Sequence, residues 1–222
     1  MVRIIKKIMA LTCFMLMASM LSAQEFSSEF WHSGELDLES GVTMKGKIKY
    51  DLQGESLQFV TTGNVVKSYG AESIAAFEIM DALTKRIRYF YSLPFKISGN
   101  YSKKHFFELM TEGVPYTLMV REKIVEKIET DFSPYWGSTY NTRRLVLEHD
   151  FFLIDQYAEL RQVDLRKSET ALLYMKDKME ELEAFIKVNG LNIRDKEDFT
   201  QVVNYYNAMK EAEMDQNNVS GR

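Results

Sequence analysis

Residues 34–60, GELDLESGVTMKGKIKYDLQGESLQFV, constrain the fold more than any other stretch, because three alternating strands and two turn signals in it have to agree. Leu36 and Leu38 alternate with Glu35, Asp37 and Glu39, and Met44, Ile48 and Tyr50 alternate with Lys45, Lys47 and Lys49, so each strand has an apolar and a charged face. A three-residue loop Glu39-Ser40-Gly41, with Gly41 supplying the left-handed residue, sets Leu38 opposite Val42, Leu36 opposite Met44 and Glu35 opposite Lys45. A two-residue loop at Ser40-Gly41 would set Asp37 against Met44 and mix the faces, so it is rejected. A two-residue turn at Gln53-Gly54 makes Tyr50 meet Leu57 and Ile48 meet Phe59. The stretch therefore predicts a three-stranded antiparallel meander.

The segment before it has a different character. Arg3, Lys6 and Lys7 precede an apolar run from Ile8 to Leu21, too short for a comfortable membrane span, and Leu21-Ser22-Ala23 offers small residues for cleavage before Gln24. This predicts a secretory signal peptide over residues 1–23. The only cysteine, Cys13, lies inside the apolar run and not just after it, so lipidation is not expected. Beyond Ala23, 25 basic residues face 32 acidic ones, a formal charge of −7. That balance argues against a nucleic-acid or anionic-lipid binder. No later apolar run approaches membrane-spanning length.

Phe26, Phe30 and Trp31 form an aromatic lead-in, with Trp31-His32 either a contact site or a plug for one end of the sheet. After the meander, Val65–Tyr69 reads as a fourth strand ended by Gly70, and Ile74–Ile79 pairs with Ile87–Tyr91, which Pro94 stops. Phe106–Met110 and Tyr116–Ile128 follow around a turn at 111–115. Asp131–Asn141, DFSPYWGSTYN, is an irregular loop in which Phe132, Tyr135, Trp136 and Tyr140 sit among Pro, Gly and small polar residues, a mixture suited to presenting rings to a partner or to folding them back on the core. Arg143–Leu147 and Phe151–Ile154 read as a hairpin around Glu148-His149-Asp150, and Ala158–Val163 as one more strand.

From Ser168 the period changes. Leu172, Met175, Met179, Leu182 and Ile186 make one helical stripe, with a kink or break expected near Lys176 and an end at Gly190. Asp195 opens a second helix through Met209, with Phe199, Val202, Val203 and Tyr206 on its buried face. The expected organisation is a leader at 1–23, an antiparallel β domain at 24–165, a helical hairpin at 166–214 and a disordered tail at 215–222. The fold class is α+β, an antiparallel meander of barrel-like or sandwich form followed by a C-terminal helical hairpin.

Catalytic signatures are missing: there is no Gly-x-Ser-x-Gly, Gly-rich phosphate loop or His-Glu-x-x-His, and the chain beyond the leader has no thiol. His149 beside Glu148 and Asp150 is the nearest thing to a metal or acid/base cluster, but neighbours on a strand point to opposite faces, so a solvated turn histidine is the expectation. Lys103-Lys104-His105 and Arg143-Arg144 are read as solvated turns, and the carboxylates of the strands as solvated faces. No cofactor or metal is expected.

Ser22-Ala23-Gln24, Trp31-His32-Ser33-Gly34-Glu35, Gly46-Lys47-Ile48-Lys49-Tyr50-Asp51, Pro134-Tyr135-Trp136-Gly137, Phe185-Ile186 and Asn204-Tyr205-Tyr206-Asn207 together resemble a family of exported envelope proteins of Gram-negative bacteria that has no assigned activity. The resemblance implies the compartment and the β-then-helix order. The function expected is that of a non-enzymatic exported cell-envelope protein, located in the periplasm, at the outer-membrane periphery or outside the cell. It would contact another envelope protein through Tyr135, Trp136 and Tyr140 or through the helical stripe. The alternative is a carrier of a small apolar ligand inside the β domain, lined by Tyr50, Phe59, Phe77, Phe90 and Phe107, with a hydrolase third.

Overall fold

A computed structural model describes residues 26–61, 63–96, 101–133, 137–165 and 172–220. The expected leader, at residues 1–23, lies outside them. Ten strands form one antiparallel sheet: β1 (His32–Leu38), β2 (Thr43–Asp51), β3 (Ser56–Val60), β4 (Val66–Gly70), β5 (Ile74–Met80), β6 (Ile87–Phe95), β7 (Lys103–Thr111), β8 (Thr117–Ser133), β9 (Ser138–Ile154) and β10 (Leu160–Val163). Their order is β10-β9-β8-β7-β6-β5-β1-β2-β3-β4. The meander has the expected register: Leu36 pairs Met44, Glu35 pairs Lys45, Tyr50 pairs Leu57 and Ile48 pairs Phe59. Gly41 takes the left-handed conformation (φ 81°), and Leu38 N–H donates to Val42 O.

The link from β4 to β5 forces the sheet to roll. Laid flat, β4 and β5 would stand four strand spacings apart, about 19 Å. The chain from Gly70 to Ile74 reaches at most about 14 Å even when extended, and residues Ala71–Ser73 are a 3-10 turn. The first five strands therefore curl until β4 lies near β5, while the sheet stays open because its edges, β4 and β10, do not pair with each other. Inside the roll Leu36, Ile48, Tyr50, Leu57, Phe59, Ile74, Phe77, Ile79, Phe90 and Phe106 form one core.

A second core sits farther along the same face. Leu118, Val120, Phe151, Leu153 and Val163 are covered by helices α1 (Met179–Asn189) and α2 (Lys196–Ser220) through Leu182, Phe199, Val202, Val203 and Tyr206. The helical hairpin is thus docked on the sheet. Met175 breaks from helical geometry inside the 3-10 segment Leu173–Lys178, where the sequence places a kink. Gly190 ends α1 at φ 64°, and the Asp195 carboxylate caps α2 by accepting from the N–H groups of Glu197 and Asp198. α2 continues to Ser220, past the Met209 at which its apolar stripe ends.

Two expected strand limits are corrected. β6 does not stop before Pro94, which pairs with Lys104 of β7; β5 runs beside β6 only as far as Tyr91, so Pro94 has no partner to lose on that side. No hairpin turns at Glu148-His149-Asp150. β9 runs straight through, with Glu148 opposite Lys123, His149 opposite Glu122 and Asp150 opposite Arg121. Ionic cross-strand partners make this polar triplet a strand interior.

Candidate functional site

Along β8 and β9 the ladder continues from Thr117↔Ile154 out to Ser133↔Ser138. Only its base is supported. β7 pairs β8 no farther than Val120, and β10 pairs β9 no nearer the tip than Phe151. Ile124 and Leu147 still pack on the rolled core. Residues 125–133 and their partners project beyond it as a bare two-stranded arm, about 30 Å long at ~3.3 Å per residue. On the arm Ile128, Phe132 and Leu145 lie on the face continuous with the core, and Tyr140, opposite Asp131, lies on the other; each is more than half exposed. Arg144 pairs Glu129 at 3.0 Å and Arg143 pairs Glu126 at 3.7 Å. The basic pair thus stiffens the arm and does not sit in a turn. Of the candidate contact residues, Tyr140 is placed on this arm, while Tyr135 and Trp136 fall outside the described residues.

Two buried charge clusters were not expected from the sequence. At the seam between the cores, Arg88 of β6 grips Glu108 with two hydrogen bonds of 2.7 Å, reaches Glu122 at 2.6 Å and Asp81 at 3.1 Å, and donates to Tyr50 Oη at 3.1 Å. Lys196, at the start of α2, adds contacts of 3.0 Å to Glu108 and 3.4 Å to Glu122, tying the helical hairpin to the sheet. Burial alone would raise the Glu122 carboxyl, but His149, Arg88 and Lys196 outweigh it and hold it at about 2. Asp81 is likewise held below the ordinary carboxylate range against its burial, by Ser27, the N–H groups of Thr84 and Leu83, and Arg88. Burial and the adjacent Glu122 raise the Tyr50 phenol. His149 Nε2 lies 3.7 Å from Glu122 Oε1, beyond hydrogen-bond reach.

The second cluster closes the roll. Glu55, at the tip of the β2–β3 hairpin, is buried and has a positive φ of 47°. Its carboxylate enters the place where β7 and β8 part. There it lies 2.7 Å from His105 Nδ1 and 2.6 Å from Arg121 Nη2, and it accepts from Phe106 N–H at 3.2 Å. Lys104 pairs with Glu39, so the Lys103-Lys104-His105 segment is held in strand β7 and is not a loose basic patch. His32 is fully buried: Nδ1 accepts from Ala82 N–H and Nε2 donates to Ser27 O, while neighbouring Trp31 is partly exposed.

Three of the five rings expected to line a cavity, Tyr50, Phe77 and Phe90, pack on one another. Phe77 stacks on Phe90 at 4.6 Å and Tyr50 lies 5.4 Å from Phe90, whereas Phe107 faces the opposite side of the sheet against Phe152 at 4.9 Å. Among the described residues, no group of three or more His, Cys, Asp or Glu side chains is placed to hold a metal ion, and no helix is long and apolar enough to cross a membrane. The chain matches no family model, and no curated protein or solved structure is significantly similar to it.

Proposed function

We propose that this chain is an exported cell-envelope protein that works by protein–protein contact, with the β8–β9 arm as its contact element and another envelope protein as its partner. The observation that carries the reading is the bare arm. An isolated two-stranded ribbon is marginal in water, yet on this one Ile128, Phe132, Tyr140 and Leu145 are each more than half exposed. Exposed, unpaired strand edges are the usual template for an added strand from a partner. The basic, apolar, small-residue pattern of residues 1–23 supports export.

The test is to replace Tyr135, Trp136 and Tyr140 with Ala together and to cross-link in cells. The expected outcome is loss of the captured partner, with thermal unfolding of the purified protein unchanged. Undiminished capture removes the arm from the reading. Cell fractionation with N-terminal sequencing checks the compartment, the expected result being a periplasmic or outer-membrane-associated chain beginning at Gln24.

A further inference from the structure

The outer face of β1, β5 and β6 carries a small grid set by cross-strand register. Glu35, Glu78 and Tyr89 stand side by side in one row, and Asp37, Ala76 and Tyr91 in the next. Ala76 is the smallest member and has larger side chains on both sides, so a hollow of about 210 Å³ opens above it, lined by all six. Tyr89 and Tyr91 are 45% and 37% exposed, so both rings border the hollow in contact with solvent.

The charge around these rings is one-sided. Glu35 and Glu78 lie directly opposite each other, an arrangement that disfavours the sheet. Lys45 pairs with Glu35 at 2.6 Å from the next strand, and Thr43 donates to Asp37. That leaves Glu78 without an ion pair of its own among the described residues. Three carboxylates therefore meet one cation beside two electron-rich ring faces, and aromatic faces next to carboxylates favour a cation.

We propose that this groove binds a lysine or arginine side chain from a basic polypeptide segment, with the cation between Tyr89 and Tyr91 and against Glu78, and its aliphatic stem over Ala76. The site lies on the opposite face of the sheet from the charge cluster around Arg88 and does not depend on the β8–β9 arm.

The test uses the purified full chain and three probes: acetyl-Ala-Lys-Ala-amide, its arginine analogue, and the lysine peptide acetylated on Nζ. Amide NMR titration is expected to show saturable shifts at residues 76–78 and 89–91 with either cationic peptide and none with the acetylated one. Glu78→Gln is expected to weaken binding about fivefold, the scale of one surface ion pair. Tyr89→Ala with Tyr91→Ala should abolish it. Ala76→Leu, which fills the hollow from the solvent side, should abolish it without lowering thermal stability. Shifts that follow the acetylated peptide equally, that are scattered over the surface, or that survive Ala76→Leu overturn the proposal, as does saturable binding of a neutral disaccharide at these residues in place of the cationic peptides. Partner capture by the arm should be unaffected by Tyr89→Ala, so failure at either site leaves the other standing.

Discussion

Glu55→Ala is the sharpest probe of how the sheet is closed. The substitution removes the acceptor shared by His105, Arg121 and the Phe106 N–H, with Glu55 8% and His105 1% exposed. Breaking a buried ionic contact by deleting one partner costs about 3–5 kcal/mol. In a chain of this size each kcal/mol lowers the melting temperature by roughly 2–4 °C, so the expected fall is about 6–20 °C. Glu55→Gly separates two effects. It removes the same carboxylate but relieves the left-handed backbone at φ 47°, worth about 1 kcal/mol for a side-chain-bearing residue. Glu55→Gly should therefore be the more stable of the two variants by about that amount, measured by urea unfolding followed by circular dichroism. A loss of less than about 1 kcal/mol in Glu55→Ala would show that packing, not the carboxylate, holds the hairpin tip, since deleting a buried ion-pair partner should cost several times more. Equal stabilities of the two variants would refute the strain.

The Arg88 cluster makes stability acid-sensitive. Glu122 is held at about 2 in the fold against an ordinary 4.5, and Asp81 is held below its ordinary 3.8. The stability these groups supply is complete above pH 4.5 and is lost as pH falls from there toward 2. The urea midpoint should therefore drop steeply over that window, with a shallower slope in Glu122→Gln; an unchanged slope counts against the assignment. Gly34→Ala should destabilise by about 3 kcal/mol or more, at the top of the overpacking range, because its Cβ would come within 2.1 Å of the Glu78 carbonyl oxygen. Gly41→Ala, in open space at φ 81°, should cost only about 1 kcal/mol of backbone strain. Equal melting temperatures for the two variants would remove the steric explanation.

The hairpin registers were legible because alternation and turn chemistry coincide at Gly41, and the helices because an Asp195 cap and a Gly190 stop frame their apolar stripes. The buried charges were not legible because β6 reads equally well in both phases. Ile87, Tyr89 and Tyr91 make as apolar a face as Arg88, Phe90 and Ser92, yet it is the face with arginine that turns inward. Glu108, Glu122 and Asp81 follow Arg88 inside as its counter-charges. Glu148-His149-Asp150 reads as a turn because composition alone marks polar triplets as loops. The available signal was its complementarity to Lys123 and Lys127, which hold Asp150 at 2.7 Å and Glu148 at 2.9 Å. For Tyr140 the composition of 131–141 leaves both exposure and fold-back open; the ring is exposed because β8 and β9 stay paired beyond the core, which reading 148–150 as a turn hides.

Strand β5 is the rivet of the molecule. It joins β1 on one side to β6 on the other, and every later strand is attached through it. While the chain emerges from its N-terminus, the first four strands can curl but β1 keeps a naked edge until residues 74–80 arrive. Such an edge invites mispairing with other chains. A nascent chain stalled at about residue 70 is thus the species most in need of a holding chaperone, and a lesion in β5 severs the early half of the sheet from the late half instead of merely loosening one core.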